Sequence, residues 1–228
     1  MAKLVWDQSG EHFYETGVDR GVIYPFASGG GYAAGEAWNG LRQVDRNPSG
    51  AEPTALYANN KKYLSMMSVE ELGLTIGAYT SPDGFAECDG SKEIAPGVYL
   101  KQQDRKHFGF CYRTLIGNDE EGTAKGYKLH LVYDCLASPS EDSNSTVNDS
   151  PEAKELSWSV TTNPIAVTGI DNIESTCDLE IDSTKISAAA LAAIEAKLYG
   201  TSSEDATLPT PAEIISLIGP TGATGATS

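Results

Sequence analysis

Two apolar runs of matching pattern, separated by ten polar and glycine-rich residues, constrain this chain more than any other feature. They are "KHFGFCYRTLI" (106–116) and "YKLHLVYDCL" (127–136), on either side of "GNDEEGTAKG" (117–126). Side chains of a strand point alternately to its two faces. Phe108, Phe110, Tyr112, Thr114 and Ile116 therefore share one face of the first run. Tyr127, Leu129, Leu131, Tyr133 and Cys135 share one face of the second. Helical spacing would scatter these residues, and the Gly-flanked loop reads as a hairpin connection. The chain is thus expected to be mainly β.

The neighbouring segments extend that reading. "YLSMMSV", "LGLTIGAY", "GVYLKQQ" and "CDLEI" read as further strands, and "SPDGFAECDGS", with Asp-Gly twice, as turns. In "ELSWSVTTN", Leu156, Trp158, Val160 and Thr162 fall on one face, which makes Trp158 a candidate core anchor. Ala27 to Pro53 carries Gly29, Gly30, Gly31, Gly35, Gly40 and Gly50, and is expected to be a long pliable loop. One helix is expected over 183–199, capped by Ser183 or Thr184 and ended by Gly200, with Ile186, Ala190, Ile194 and Leu198 in a stripe. Residues 206–228 read as an extended arm with an apolar hook at Ile214, Ile215, Leu217 and Ile218. It ends in "GPTGATGATS", too short to hold a collagen triple helix.

Charge and cysteine usage narrow the function. Sixteen basic residues stand against 32 acidic ones, a net charge of -16. That balance opposes phosphate neutralisation on nucleic acid and docking on anionic membrane. No run approaches the ~20 apolar residues of a membrane helix, and "MAKLVWDQSG" carries no apolar leader core. Cys88, Cys111, Cys135 and Cys177 form no CxxC pair and read as reduced thiols of a protein made in a cytoplasm. His12, His107 and His130 do not combine with them at metal-site spacing. Gly29–Ala34 lacks the strand and helix that a dinucleotide fingerprint needs. The chain has no GxSxG, HExxH or phosphate-loop motif. The carboxylate runs read as solvated loops, though a glycosidase pair stays open at this level. We expect no catalysis, metal or cofactor.

Several stretches resemble the major tail tube protein of long-tailed, non-contractile bacteriophages. They are "WNGLRQVDRNPSGAEPTALYANNKKYLSMMSVEELGLTIGAYTSPDGFAECDGS", "IAPGVYLKQQDRKHFGFCYRTLIGNDEEG", "GYKLHLVYDCLASPSE", "NDSPEAKELSWSVTTNPI" and the helix end "KLYGT". The resemblance covers about residues 1–205, which it implies form one tail tube domain. It implies a tail-tube-type β-sandwich or half-barrel with one packed helix and extended loop and C-terminal arms. It further implies a virion protein made in the bacterial cytoplasm. Six copies would close a ring, and stacked rings would enclose the tape measure protein and conduct DNA without specific binding. Tail terminator and distal tail proteins would cap the tube, and no membrane partner is implied. Under this resemblance the 107–135 hairpin is the candidate inner wall. Glu70, Glu71, Asp119, Glu120, Glu121 and Asp134 are candidate lumen acids. The 27–53 loop, with Gly29, Gly30, Gly31, Trp38 and Arg42, is the candidate inter-ring contact. Other readings are an inner tube of a contractile tail or secretion system, a head or head-decoration protein, and a secreted carbohydrate-binding or carbohydrate-cleaving β-sandwich.

Overall fold

The structure, a computed structural model, describes residues 3–146, 153–169, 173 and 175–219. The first strands are β1 (Tyr14–Pro25), β2 (Glu36–Trp38), β3 (Leu41–Gly50), β4 (Pro53–Ala58), β5 (Lys61–Met67) and β6 (Glu70–Ala78). A 3-10 turn at Asp83–Phe85 leads to β7 (Lys92–Ala95) and β8 (Val98–Leu100). The long hairpin is β9 (Phe108–Asn118) and β10 (Gly122–Ala137). Then come β11 (Leu156–Thr162), β12 (Ile165–Ala166), β13 (Ser175–Thr176) and β14 (Asp178–Asp182). Helices α1 (Ala188–Tyr199) and α2 (Pro211–Ile218) follow.

The main sheet runs β2-β1-β9-β10-β11-β6-β3, with β14 added to β10. Its two outermost strands, β2 and β3, are consecutive in sequence and joined only by Asn39 and Gly40. Such a short link forces the sheet to roll up until its edges meet, giving a barrel-like wall. Gly40 makes the turn at φ 75°, and its carbonyl accepts from the Tyr79 amide at 2.9 Å.

Rolling gives the wall an inside and an outside, and both are apolar. Ile23, Phe108, Phe110, Tyr112, Val132, Trp158 and Val160 fill the interior. Val22, Tyr24, Cys111, Leu129, Leu131 and Tyr133 point outward, where α1 and α2 cover them with Ile194, Leu198 and Ile214. Tyrosine hydroxyls tie this second layer down. Tyr24 donates to the Leu198 carbonyl at 2.6 Å and Tyr133 to the Pro209 carbonyl at 3.0 Å.

The structure departs from the sequence expectations at four places. The stretch 27–53 is not one loop, because β2 and β3 pair along β1 and β6. The helix starts later than expected, at Ser187, whose hydroxyl accepts from the Ala190 amide. Its buried residues are Ala190, Ile194 and Leu198, and Ile186 precedes it. The apolar hook is a second helix, opened by a capping box between Thr210 and Glu213 with Pro211 at the first helical position. Cys135 does not share a face with Tyr133. Asp134 sits at φ 46° in a register shift between Val132 and Cys135, and the extra residue flips the strand's parity. The Gly-X-Y triplets lie beyond Gly219, outside the described residues.

Candidate functional site

A two-stranded ribbon leaves the barrel where β3 and β6 end. Those strands pair as far as Gly50 and Glu70, and β4 and β5 then continue as a separate hairpin from Pro53 opposite Met67. Gly50 at φ 83° and Ala51 at φ 54° turn the chain between the two ladders. Asn59 and Asn60, at φ 51° and 63°, close the tip. That pair of left-handed residues is the two-residue hairpin geometry for which Asn is well suited. At about 3.3 Å per residue, the six residues of β4 carry the tip roughly 20 Å outward.

The ribbon has an unusual surface. Every residue of β5 is exposed, and in β4 only Ala55 is half-buried. Yet the ribbon carries Leu56, Tyr57, Tyr63, Leu64, Met66 and Met67, with Val69 at its base. Tyr57 and Tyr63 are each 73% exposed and Val69 80%. An isolated two-stranded hairpin is marginal in water, and this one exposes large apolar side chains on both faces: Leu56, Leu64 and Met66 on one, Tyr57, Tyr63 and Met67 on the other. A smaller hairpin, β7–β8, exposes Ile94, Val98, Tyr99 and Leu100 in the same way. Leu4, Val5 and Trp6 are exposed near the other end of the sequence.

The predicted site residues scatter. Trp38 is no contact residue: it is 3% exposed, donates from Nε1 to the Thr80 carbonyl at 2.8 Å, and packs on Phe85, Phe110 and Trp158. Trp158 itself is 6% exposed and lies in the same interior. Arg42, at the start of β3, is half-exposed and paired with Glu155 at 2.5 Å. Gly29, Gly30 and Gly31 form a surface turn, and an added Cβ at any of them meets nothing within 4 Å. The inter-ring contact expected at 27–53 therefore loses its central residue to the core.

The expected lumen acids do not form one surface either. Glu70 and Glu71 are exposed at the base of the ribbon. Asp119, Glu120 and Glu121 lie in the β9–β10 turn, where the first two act as a clasp. Asp119 accepts from the amides of Gly10 and His12 and meets His12 Nδ1 at 3.0 Å, while Glu120 accepts from the Ser9 hydroxyl at 2.8 Å. The His12 imidazole, and then the Gly10 amide, hold the Asp119 carboxyl down at about 2. Glu121 pairs with Lys125 at 2.8 Å. Asp134 is at the other end of β10, in the bulge, 2.6 Å from His107 Nδ1. Both faces of the hairpin are buried in the half away from its turn, over Phe108–Tyr112 and His130–Tyr133, so that half offers no lumen surface.

Other charged and titratable groups lie in ion pairs or are buried. Glu15 and Glu180 face each other across Lys128, whose Nζ lies 2.9 and 3.0 Å from them, so both carboxylates are committed to ion pairs. His130 is buried beside them and stacks on Tyr112 at 4.6 Å, and burial lowers its proton affinity. Burial pushes the Cys88 and Cys111 thiols up to about 12, away from the thiolate that reactive cysteines need. Among the described residues no three His, Cys, Asp or Glu side chains come together as a metal-holding group. No described helix is long and apolar enough to cross a membrane. No protein-family model matches this chain, and no curated protein matches it.

The ribbon was partly legible. Asn59-Asn60 between "TALY" and "YLSMM" is a two-residue turn signal between alternating runs. The glycines upstream masked it by suggesting one long loop.

Proposed function

We propose that this chain is a structural subunit of a phage tail tube, and that it works by self-assembly rather than catalysis. One observation carries the reading: a ribbon with six large, exposed apolar side chains stands free of the barrel, on a chain of net charge -16. A monomeric protein gains nothing from holding such a surface in water, whereas a subunit that is buried on assembly does. The resemblance of residues 1–205 to tail tube proteins supports the same reading. In this proposal six copies close a ring and rings stack, with the ribbon reaching from one copy to another. It takes over the inter-ring role that the sequence suggested for 27–53.

The tube would hold the tape measure protein during assembly, be capped by terminator and distal tail proteins, and pass DNA without gripping it. Net charge supports the last point. A basic bore would bind DNA by counterion release, and an acidic one repels it. Only carboxylates within about a Debye length, roughly 8 Å at physiological salt, act on the cargo. Glu70 and Glu71 are the strongest remaining candidates, since Asp119, Glu120 and Asp134 are engaged in holding the subunit together.

Electron microscopy of the purified protein tests the proposal. Hollow filaments of uniform width are the expected result. A chain that stays monomeric at high concentration, with or without sugar affinity, would overturn it.

A further inference from the structure

Three residues stand in one row across three strands. Tyr112 of β9 lies opposite His130 of β10, and His130 lies opposite Glu180 of β14. The imidazole stacks on the Tyr112 ring at 4.6 Å and 11°, and only 4% of its side chain is exposed. Its neighbours fix its tautomer. The Thr114 hydroxyl spends its proton on Glu15 Oε1 at 2.7 Å, so it accepts from His130 Nε2 at 2.9 Å. Nδ1 is then a bare acceptor. It finds no hydrogen-bond donor among the described residues and faces a second acceptor, Glu180 Oε2, at 3.8 Å. A buried polar atom without a partner is rare and needs a reason.

Charged groups approach this ring from four strands. β1 brings Glu15, β14 brings Glu180 and Asp178, β3 brings Arg46, and β10 itself brings Lys128. Lys128 already bridges Glu15 Oε2 and Glu180 Oε1, and Arg46 pairs with Asp178. The pull of the two glutamates on a further cation is therefore partly spent, and the two basic side chains repel it. His130 also lines a polar opening of about 680 Å³ with Glu15, Asp45, Arg46, Thr114 and Glu180, which gives protons a route to the ring. Asp45 is held there by the Gln43 amide.

We propose that His130 makes the β10–β14 seam acid-sensitive: a proton taken up at Nδ1 puts a cation where the packing suits a neutral ring, and β14 is released from β10. β14 is the strand able to leave, because it pairs with β10 alone and lies off the path of the rolled wall. Burial weighs most against the charged ring, ahead of the pull of Glu180 and then Glu15, and so lowers its proton affinity. A histidine in the open seam titrates near its ordinary ~6.5. The seam is thus at full strength above that value and weakens as pH falls through the lower one of the closed barrel.

Amide hydrogen exchange between pH 7.5 and 5 tests this, with rates divided by those of the free chain at each pH. It needs neither assembly nor its absence, so its outcome stands apart from the tube proposal. Protection across Asp178–Asp182 should fall several-fold on acidification, while protection across Leu72–Ile76 in β6 stays level. Glu180→Gln, at a side chain 41% exposed, should deepen the fall, because it removes a charge that favours the proton. His130→Gln should abolish it. A seam equally protected at both pH values overturns the proposal, as does a loss shared equally by β6. A fall that persists in His130→Gln moves the effect to another group. Should that variant not fold, Glu180→Gln decides alone: a fall no deeper than the parent's overturns the role of His130.

Discussion

Trp38 and Trp158 meet edge to face in the barrel interior, with ring centroids 5.4 Å apart and planes at 67°. They come from β2, at one end of the main sheet, and β11, toward the other. Their contact is thus made across the rolled wall and not along it. Phe85 lies against both, at 4.7 and 5.1 Å.

Trp158→Ala should cost about 3–5 kcal/mol, as expected for emptying a buried aromatic site. Trp38→Ala should cost as much and also orphan the Thr80 carbonyl. Because the rings touch, the double variant should depart from additivity by roughly 0.5–1.5 kcal/mol. Urea unfolding of the four proteins measures this. Additive costs would mean that the barrel does not close as described.

Replacing Glu52–Ser68 by a two-residue turn should leave the barrel folded, since the ribbon buries almost nothing against the rest of the chain. Circular dichroism should show a melting temperature close to the parent's, while sedimentation should show loss of assembly. A deletion variant that still assembles would remove the ribbon from the interface. One that unfolds would make it part of the core.

Gly50→Ala should act on the direction of the ribbon. Gly50 sits at φ 83°, and a Cβ there would run into the Val69 backbone carbonyl. The chain must shift at the ribbon base to relieve this. Assembly should weaken several-fold in sedimentation while the barrel loses only about 1 kcal/mol of stability in urea unfolding. An unchanged assembly constant would show that the ribbon need not be aimed.

The N-terminal clasp should respond to acid. Asp119 has its carboxyl lowered to about 2, with His12 as the first cause. An ordinary carboxylate titrates near ~3.9. A depressed carboxyl stabilises the clasp above the ordinary value and loses that contribution as pH falls through about 2. Hydrogen exchange at the Gly10 and His12 amides should therefore be slowed relative to free chain above pH 4 and lose that protection on approach to pH 2. Asp119→Ala should abolish the protection at every pH. Protection that persists in Asp119→Ala would move the clasp to other groups.

The local pattern of this chain was legible wherever it was local in cause. The β9–β10 alternation, the Ala190–Ile194–Leu198 stripe and the inward set of β11 all follow from side-chain direction along a single element. The net charge likewise needed no structure. What lay beyond reach was set by residues distant in sequence. The second face of β9 and β10 is buried only because α1 and α2, more than fifty residues later, fold back over it. Trp38 sits among glycines, and composition there suggests a loop. Pairing of β2 with β1 and of β3 with β6 draws it into the core instead. One positive φ at Asp134 reverses the facing of Cys135, a change that no periodicity can announce. Sequence states which side chains prefer to leave water. Only the closed chain decides which of them find cover, and here the ribbon's apolar side chains find little within the chain.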